Sequence, residues 1–487
     1  KRRRKNNNNR KTKTTATMCD LICFLINLGM NRNAHMNGEA YGYKYPINVG
    51  ELGEGQLGDK AWFQKALRSH KTIDGNTTVT KITCTNFQNN GLLSDIGRVK
   101  LEYEGGSGPA EVILKFAPIA FETRITTDLF KLSQTEYHVY KAGPEKLGFT
   151  RTPKLYYADF NYKSNNYCLM LESIGLNDDA KFYNILEPNK GSPTGVDKKS
   201  MSYDQAVLCL KQLAKFHADF PDEKIKADRD LNFFPRSSDK LYKMFESEAK
   251  KHWKTSGVSA YAPGGIQHSG WTYKIPASFT ELANDVLGNF TNVLWYGAEG
   301  CEYSGLTHGD PRIDNWFFYE NDTQVGVLDF QLMLISNQPA DIAWILSCSC
   351  DMEMLENNEQ KLLEEYLNAY ETCSGKAVDR EMWMEEYALG YIGCIGKSII
   401  GAGGIDASGD NADIVVGTMN WLLEMAFDGW RRNNVADVWS KYRAGKLKSQ
   451  LKNPVKVPGF KPTDMYLGKF ADISFKADGK GIELTQK

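Results

Sequence analysis

Two neighbouring stretches decide the fold: LTHGDPRIDNWFF (306–318) and VGVLDFQLM (325–333). Asp310 and Asn315 lie five positions apart on a segment whose proline and polar residues predict a loop, and Asp329 ends an apolar, strand-like run. Phosphoryl transfer needs a carboxylate that orients and deprotonates an acceptor hydroxyl, and hard oxygen ligands that hold Mg²⁺. Asp310 fits the first requirement, and Asn315 and Asp329 fit the second.

The same residues could also form an ordinary loop with Asx turns and a helix cap. The tripeptide His-Gly-Asp alone would not separate these interpretations. The full pattern, in which His-Gly-Asp is followed by Asn315 and then by an apolar run ending in Asp-Phe, favours phosphoryl transfer.

Upstream residues supply candidates for nucleotide binding. Lys115 lies among apolar residues of a predicted strand, where an amine is costly unless it meets an anion such as a phosphate. Glu136 follows twenty-one residues later on a predicted helix and could hold this lysine, as a helix carboxylate does in kinases. The alternative for the pair is a lysine that reaches water from an edge strand and a solvated glutamate.

A turn-rich segment between the first two predicted strands stands where kinases carry a glycine-rich loop. Asn90, Gly91 and Ser94 could present backbone N–H groups and a hydroxyl to phosphates. The segment lacks the G-x-G-x-x-G spacing, and taken alone it is better explained as a plain β-turn.

The composition is that of an ordinary globular protein. The 487 residues include 59 basic and 60 acidic residues, for a formal net charge of −1. This near-neutral balance predicts no nucleic-acid partner and no anionic membrane partner for the folded body. The ten cysteines are scattered and show no metal-ligand spacing with histidine.

The N-terminal region (1–50) differs from the rest of the chain. KRRRKNNNNRKTK (1–13) carries eight basic residues and no acidic one, and a short apolar run containing Asp20 follows. This pattern is typical of a targeting segment, and a disordered tail is the alternative. The apolar run is too short to span a bilayer, so no stable membrane insertion is expected. We expect a cytoplasmic protein, with an N-terminal targeting segment as the other possibility.

The remaining patterns predict strands first and helices afterwards. The first part contains a short helix with Asp59 at its N-cap, five strands and one further helix, at 57–69, 78–87, 98–105, 111–118, about 125–142, 156–160 and 166–174. Long helical patterns follow at 202–220, 359–373, 381–400 and 411–430. This order predicts an α+β fold and not an alternating βαβ fold. The expected divisions are a tail, a nucleotide-binding N-lobe, a helical C-lobe with the catalytic loop and acceptor site, and a C-terminal extension, at 1–50, 55–175, 176–440 and 441–487.

These motifs resemble the aminoglycoside-phosphotransferase and choline-kinase superfamily of small-molecule kinases. Within it the chain is most similar to the ecdysteroid kinase-like (CHK kinase-like) branch and its bacterial phosphotransferase relatives. The resemblance covers roughly residues 55–435. It rests on the two stretches quoted first and on NNGLLSDIGRVKLEYEGGSGPAEVILKFAP (89–118), TEYHVY (135–140) and LAKFHADF (213–220).

The resemblance implies a bilobal protein-kinase-like fold, with a small antiparallel-sheet N-lobe and a larger, mostly helical C-lobe. It implies ATP and Mg²⁺ as cofactors, and transfer of the γ-phosphoryl group to a hydroxyl of a sterol-like, amino-alcohol or antibiotic-like molecule. Lys115 would then contact the nucleotide phosphates, with Glu136 as its partner. Asp310 would be the catalytic base, and Asn315 and Asp329 would bind the metal.

The resemblance also implies supporting residues. Glu172 would mark the hinge that receives the adenine. His308, His217 and Asp341 would support the catalytic loop structurally.

The segment after Asp310 departs from the pattern of the branch, because Pro-Arg-Ile-Asp replaces the usual Leu-Trp and small or polar residues. Arg312 could contact a phosphate or the acceptor, and Asp314 could be a further ligand; the alternative for both is an ordinary surface position. The identity of the acceptor and the oligomeric state stay open.

Two other classes of function stay open as well. One is a catalytically silent nucleotide-binding protein on the same fold, and the other is a protein kinase. The chain lacks an A-P-E segment and a long activation loop after Asp329, which argues against a regulated protein kinase.

Overall fold

The computed structural model describes ten segments of the chain, residues 29–86, 93–175, 179–184, 197–198, 200–238, 243–255, 273–404, 412–455, 471–475 and 482–486. Asn90, Gly91 and the basic segment of the expected tail lie outside the described residues. The chain divides into two compact units. The first unit comprises Lys1–Lys141, Pro153–Leu176 and Gly459–Lys487, and the second comprises Ala142–Thr152 and Asn177–Pro458.

The first unit is built on a five-stranded antiparallel sheet. Its strands are β1 (Thr78–Asn86), β2 (Asp95–Glu104), β3 (Glu111–Phe116), β4 (Leu155–Asn161) and β5 (Asn166–Glu172). The spatial order is β1-β2-β3-β5-β4, which makes β3 the central strand. In this register Lys115 faces Ile96 of β2 and Leu169 of β5. All five strands expected from the sequence are present.

A short helix, α1 (Lys60–Ser69), packs its apolar residues into the core of the first unit. Asp59 accepts a hydrogen bond from the Trp62 backbone N–H at 2.9 Å, which confirms the predicted N-cap. Trp62 and Phe63 are buried, and burial of each such side chain stabilises the fold by roughly 2 kcal/mol. Tyr45 is buried in the same core, so residues upstream of the expected lobe boundary at residue 55 also belong to this unit.

The prediction of one helix at about 125–142 is wrong. Two helices occupy this segment, α2 (Phe121–Leu129) and α3 (Leu132–Ala142). Lys131 between them has a φ of +56°, a left-handed conformation that interrupts the helical hydrogen-bond pattern. Lysine is an ordinary helix former, so its type gave no signal of the break.

The second unit is mostly helical. Its described helices before the catalytic loop are α4 (Tyr203–Asp219), α5 (Asp222–Ala227), α6 (Lys243–Thr255), α7 (Ala277–Gly288) and α8 (Phe290–Glu299). Those after the catalytic loop are α9 (Gln338–Ser349), α10 (Met352–Ser374), α11 (Arg380–Gly404), α12 (Ala412–Arg432), α13 (Val435–Arg443) and α14 (Lys448–Lys452). The four long predicted helices correspond to α4, α10, α11 and α12.

Short strands position the catalytic loop of the second unit. The strands β6 (Lys181–Asn184) and β7 (Asp197–Lys198) form one sheet with β9 (Trp316–Tyr319) and β10 (Gln324–Val327), in the order β10-β9-β6-β7. The strands β8 (Ser304–Thr307) and β11 (Leu334–Asn337) form a separate antiparallel pair. The loop between β8 and β9 carries the His-Gly-Asp motif, and the hairpin of β9 and β10 leads to Asp329. Both strand-like runs expected around this motif are confirmed.

Two further strands, β12 (Ala471–Phe475) and β13 (Ile482–Gln486), pair with each other in antiparallel fashion near the end of the chain. Among the helices that the structure describes, none has the length and apolar character needed to cross a membrane. These observations confirm the expected α+β class, with a small antiparallel-sheet unit and a larger helical unit.

Candidate active site

The catalytic loop turns sharply at Gly309. This residue has a φ of +82°, and a Cβ atom at its position would lie 2.0 Å from the carbonyl oxygen of Leu332. Only glycine accommodates both the left-handed backbone and the close approach. Steric constraints therefore explain why the middle residue of the His-Gly-Asp motif is glycine.

Asp341 holds the backbone of this loop. It lies in the first turn of α9, and its carboxylate accepts hydrogen bonds from the backbone N–H groups of His308 at 2.5 Å and Gly309 at 3.0 Å. Charge-assisted bonds of this kind are about twice as strong as neutral ones. Asp341 thus fixes the two residues that precede Asp310.

Two buried histidines brace the loop from behind. His217 lies on α4. Its Nε2 is 3.3 Å from Asp341 Oδ2, and its Nδ1 is 2.9 Å from the Tyr366 hydroxyl oxygen. His308 Nε2 lies 3.2 Å from the Leu328 carbonyl oxygen, which can only accept, so this nitrogen carries the proton. Burial lowers the pKa of His308, which favours the neutral ring.

The Asp310 carboxylate is held by three side chains. Trp344 Nε1 donates to Oδ1 at 2.8 Å, and Arg312 Nε lies 3.1 Å from Oδ1 and 3.3 Å from Oδ2. Asn315 Nδ2 lies 3.4 Å from Oδ2 and also donates to the Asp310 backbone carbonyl oxygen at 2.7 Å. Burial alone would raise the pKa of Asp310, but the positive charge of Arg312 and the indole N–H outweigh it, so the pKa lies below its ordinary value. Asp310 is therefore ionised at neutral pH.

Arg312 connects two carboxylates. Besides contacting Asp310, its Nη1 lies 3.2 Å from Asp314 Oδ2. Burial raises the pKa of Asp314, and the attraction of Arg312 opposes this shift. Arg312 is therefore more than an ordinary surface residue, because its guanidinium contacts the Asp310 carboxylate directly.

Asn315 and Asp329 offer oxygen atoms suited to Mg²⁺. The Asn315 side-chain N–H is committed to Asp310, which leaves the side-chain amide oxygen available to a metal. The Leu328 backbone N–H donates to the Asn315 backbone carbonyl at 3.0 Å. Asp329 adopts a left-handed φ of +65° at the end of the hairpin. Mg²⁺ is commonly held by one or two protein oxygens together with substrate phosphates and water. The pair fits that requirement, although no group of three or more His, Cys, Asp or Glu residues in the described part of the chain could hold a metal ion.

The first unit contains the expected lysine–glutamate pair. Lys115 Nζ lies 2.8 Å from Glu136 Oε1, with only 8% of the lysine side chain and 1% of the glutamate side chain exposed. The Tyr167 hydroxyl donates to the other glutamate oxygen at 3.3 Å. Because β3 is central and both side chains are buried, the alternative of an edge lysine and a solvated glutamate is wrong.

The other residues expected at the nucleotide are only partly described. Ser94 is buried just before β2, and Glu172 ends β5, where its Oε2 accepts from the Lys154 backbone N–H at 3.2 Å. Asn90 and Gly91 lie outside the described residues. Nucleotide contacts of all four residues stay predictions.

Two residues near Asp310 were given no role at this loop from the sequence. Trp344 lies three residues after Asp341 on α9, and this helical spacing was the available signal. Lys397 of α11 donates from Nζ to the Gly309 carbonyl at 3.0 Å, and the same nitrogen lies 4.7 Å from the centroid of the Trp344 ring. No local pattern could connect Lys397 with a loop 88 residues away.

The loop with the His-Gly-Asp motif, the metal-ligand candidates and the buried lysine–glutamate pair are the parts expected of a kinase-like phosphotransferase. The chain belongs to the ecdysteroid kinase-like family, whose family model matches residues 88–377, more than half of the sequence. This membership makes it a small-molecule kinase, as the sequence predicted.

Other known proteins show more distant similarity. A choline kinase from Cryptosporidium parvum is 10% identical and covers 80% of this chain and 99% of its own, with a TM-score of 0.40. The GDP complex of aminoglycoside 2'-phosphotransferase-IIIa is 11% identical and covers 75% of this chain and 98% of its own, with a TM-score of 0.41. Both TM-scores lie below 0.5, so the assignment rests on the family match and the architecture described above.

One curated protein is similar in sequence. It is "Probable acyl-CoA dehydrogenase IBR3" of Arabidopsis thaliana, which is 28% identical over 153 residues. The match covers 27% of this chain and spans only 18% of the length of that relative.

Proposed function

We propose that this protein transfers the γ-phosphoryl group of ATP to a hydroxyl of a small molecule and requires Mg²⁺. The Asp310 carboxylate carries the proposal, because Trp344 and Arg312 keep it ionised and oriented on a loop anchored by Asp341. A carboxylate held in this way suits the task of receiving the hydrogen bond of an acceptor hydroxyl. His308 and His217 support the same loop and are proposed to act as positioning residues.

In the proposed reaction, the acceptor hydroxyl donates a hydrogen bond to Asp310 while its oxygen attacks the γ-phosphorus. The bond from the γ-phosphorus to the β–γ bridging oxygen breaks, and ADP leaves with that electron pair. The hydroxyl proton passes to Asp310 and then to solvent. Because the pKa of Asp310 lies below its ordinary value, the carboxylate is a weak base that mainly orients the hydroxyl, and proton transfer comes late.

One residue is proposed to meet the nucleotide phosphates, one to hold it in place, and two to meet the metal. Lys115 would neutralise phosphate charge, with Glu136 holding its ammonium group in place. Asn315 and Asp329 would provide the oxygen ligands. Bound Mg²⁺ offsets the charge that develops on the phosphate oxygens.

The remaining nucleotide contacts are proposed from the family pattern. Asn90, Gly91 and Ser94 would face the phosphates, and Glu172 would mark the hinge that receives the adenine. The proposal also assigns nucleotide binding to the N-lobe (55–175) and acceptor binding to the C-lobe (176–440).

A phosphoryl-transfer assay tests the proposal. The full chain is incubated with γ-labelled ATP, Mg²⁺ and a small-molecule extract, beside Asp310→Asn and Asp314→Asn. We expect label in a small molecule with the wild type, a loss of roughly 100-fold or more for Asp310→Asn, and a much smaller loss for Asp314→Asn. Removal of Mg²⁺ with a chelator should abolish transfer.

Each alternative predicts a different result in this assay. Label that appears on added proteins, and not on small molecules, would favour a protein kinase. Binding of Mg·ATP without transfer to any acceptor would favour a silent nucleotide-binding protein. Transfer that persists unchanged in Asp310→Asn would contradict the role given to this carboxylate.

A further inference from the structure

Two cationic side chains, Arg312 and Lys397, lie near Asp310. They differ in whether a carboxylate offsets their charge. Arg312 contacts two carboxylates, those of Asp310 and Asp314, at 3.1 and 3.2 Å. Lys397 is exposed, and its ammonium group contacts a neutral carbonyl, that of Gly309, and the face of the Trp344 ring. Within the described parts of the chain, no carboxylate forms an ion pair with Lys397.

This lysine lies beside the atoms that would receive the acceptor. Its amine bonds to the residue immediately before Asp310, and its charge helps to lower the pKa of the Asp310 carboxyl. The Trp344 indole joins the two groups, since its N–H donates to Asp310 and its ring lies beneath Lys397. An acceptor whose hydroxyl reaches Asp310 therefore comes close to the Lys397 ammonium group.

The sign of this charge discriminates between acceptor classes. A cationic acceptor, such as an amino alcohol, would bring its ammonium group towards Lys397, and like charges at a binding surface are disfavoured. An anionic group would instead form a charge-assisted pair with an ammonium group that has no carboxylate partner among the described residues.

We propose that the acceptor is a hydroxyl compound that also carries an anionic group, a phosphate, sulfate or carboxylate, and that Lys397 binds this group. The inference rests on the proposed phosphoryl transfer and adds the substrate class. Arg312 is assigned to the orientation of Asp310, and Lys397 is the residue that determines specificity.

Separation of acceptors by charge provides the first test. A small-molecule extract is divided by ion exchange into cationic, neutral and anionic pools, and each pool is incubated with γ-labelled ATP, Mg²⁺ and either wild type or Asp310→Asn. We expect wild-type-dependent label in products from the anionic pool. Label confined to the cationic or the neutral pool overturns the inference but leaves the proposed phosphoryl transfer intact. Absence of label from every pool counts against phosphoryl transfer itself, and the inference then falls with it.

Substitution of Lys397 provides the second test, with the labelled acceptor from the anionic pool. Lys397→Met should raise the KM for this acceptor by roughly tenfold or more, because a charge pair is lost, while the KM for ATP stays within about twofold. Lys397→Arg keeps the charge and should restore most of the affinity. Lys361→Met on α10 is the matched control, since Lys361 is also an exposed helix lysine and bonds only to Asn358 among the described residues.

The same kinetics identify the competing role for Lys397. An increase in the KM for ATP without a change in the KM for the acceptor would assign this lysine to the nucleotide and overturn the inference. An equal effect of Lys361→Met would show that a general change of surface charge is responsible, which overturns it as well.

Discussion

Gly309 is the residue of the catalytic loop that leaves the least room for change. Substitution by alanine would place a Cβ atom 2.0 Å from the Leu332 carbonyl oxygen at a φ of +82°. We expect Gly309→Ala to lower the free energy of unfolding by about 2 kcal/mol or more and to displace Asp310, with loss of phosphoryl transfer. Urea denaturation and the transfer assay measure the two effects.

The matched control is Gly375→Ala, at the end of α10. This glycine has a similar φ of +67°, but no atom lies within 4 Å of a Cβ built there. Its substitution should cost only the backbone strain, about 1 kcal/mol, and leave transfer unchanged. Equal destabilisation by the two substitutions would contradict the importance of the Leu332 contact.

The buried pair of Lys115 and Glu136 allows a second prediction at the same scale. Lys115→Met leaves the Glu136 carboxylate buried without its cation, which should cost about 3–5 kcal/mol of stability and abolish binding of Mg·ATP. The double substitution Lys115→Met/Glu136→Leu should recover most of the stability and none of the binding. Urea denaturation and a direct nucleotide-binding titration separate these outcomes.

An exposed pair serves as the control for this prediction. Lys81 and Glu102 lie 2.6 Å apart on neighbouring strands, with about 60% of each side chain exposed. Lys81→Met should change stability by less than about 1 kcal/mol, because solvent screens the pair. A loss from Lys115→Met no greater than this would argue against an ionised pair in the core.

Residues with local motifs could be predicted from the sequence, and residues without them could not. Asp310, Asn315 and Lys115 were chosen for their chemistry and spacing, and their roles stay predictions. Lys397 contacts the loop through tertiary packing of α11, and such contacts leave no trace in the local pattern.

At the scale of elements, α4, α9 and α10 meet at a buried chain of hydrogen bonds. The Tyr366 hydroxyl on α10 contacts His217 on α4, and His217 contacts Asp341 on α9. Tyr366→Phe should cost about 1–3 kcal/mol, because it leaves a buried imidazole nitrogen without its partner. Chemical denaturation measures this loss.

Tyr370→Phe is the control for that prediction. Tyr370 lies one turn further along α10, and its hydroxyl has no hydrogen-bond partner among the described residues. Its substitution should leave stability nearly unchanged. Equal destabilisation of both variants would mean that losing any tyrosine hydroxyl from this helix has the same effect. The contact between Tyr366 and His217 would then make no specific contribution to stability.

The types of the main elements could be predicted, whereas some of their boundaries could not. The pattern of α10 suggested a start at residue 359, but the helix begins seven residues earlier, at Met352. Asp351 caps it by accepting from the Met354 backbone N–H at 2.8 Å. The break at Lys131, where the backbone is left-handed, escaped notice because lysine is an ordinary helix former and its type gave no signal. Caps and breaks of this kind depend on a few hydrogen bonds that hydrophobic periodicity does not register.

At the scale of the whole molecule, Glu386 makes stability depend on pH. It is buried on α11, accepts from the backbone N–H groups of Glu302 and Tyr303, and burial raises its pKa from 4.5 to about 7. The folded protein thus keeps a proton that the unfolded chain releases between these values. Its contribution to stability is complete below pH 4.5 and is lost as the pH rises through about 7.

Glu386→Gln should remove this part of the pH dependence. As the pH rises from 4.5 to 7.5, the unfolding free energy of the wild type should fall by about 3 kcal/mol relative to that of the variant. Urea denaturation at a series of pH values measures it. A constant difference across this range would show that Glu386 has an ordinary pKa in the folded state.

The order of the motifs along the chain was enough to predict the family and the division into a sheet unit and a helical unit. The acceptor class was not predictable in the same way. The side chains that bear on it come from the loop after β8, from α9 and from α11, and only folding brings them together.

The bond between the Trp344 indole and Asp310 also has a practical consequence. The indole N–H donates directly to the Asp310 carboxylate at 2.8 Å, so its electronic environment depends on the charge of that group. A fluorine-labelled tryptophan at this position would give a resonance whose chemical shift follows the state of the carboxylate as each reactant arrives. The enzyme thus contains, next to its reactive group, a natural position for a spectroscopic probe.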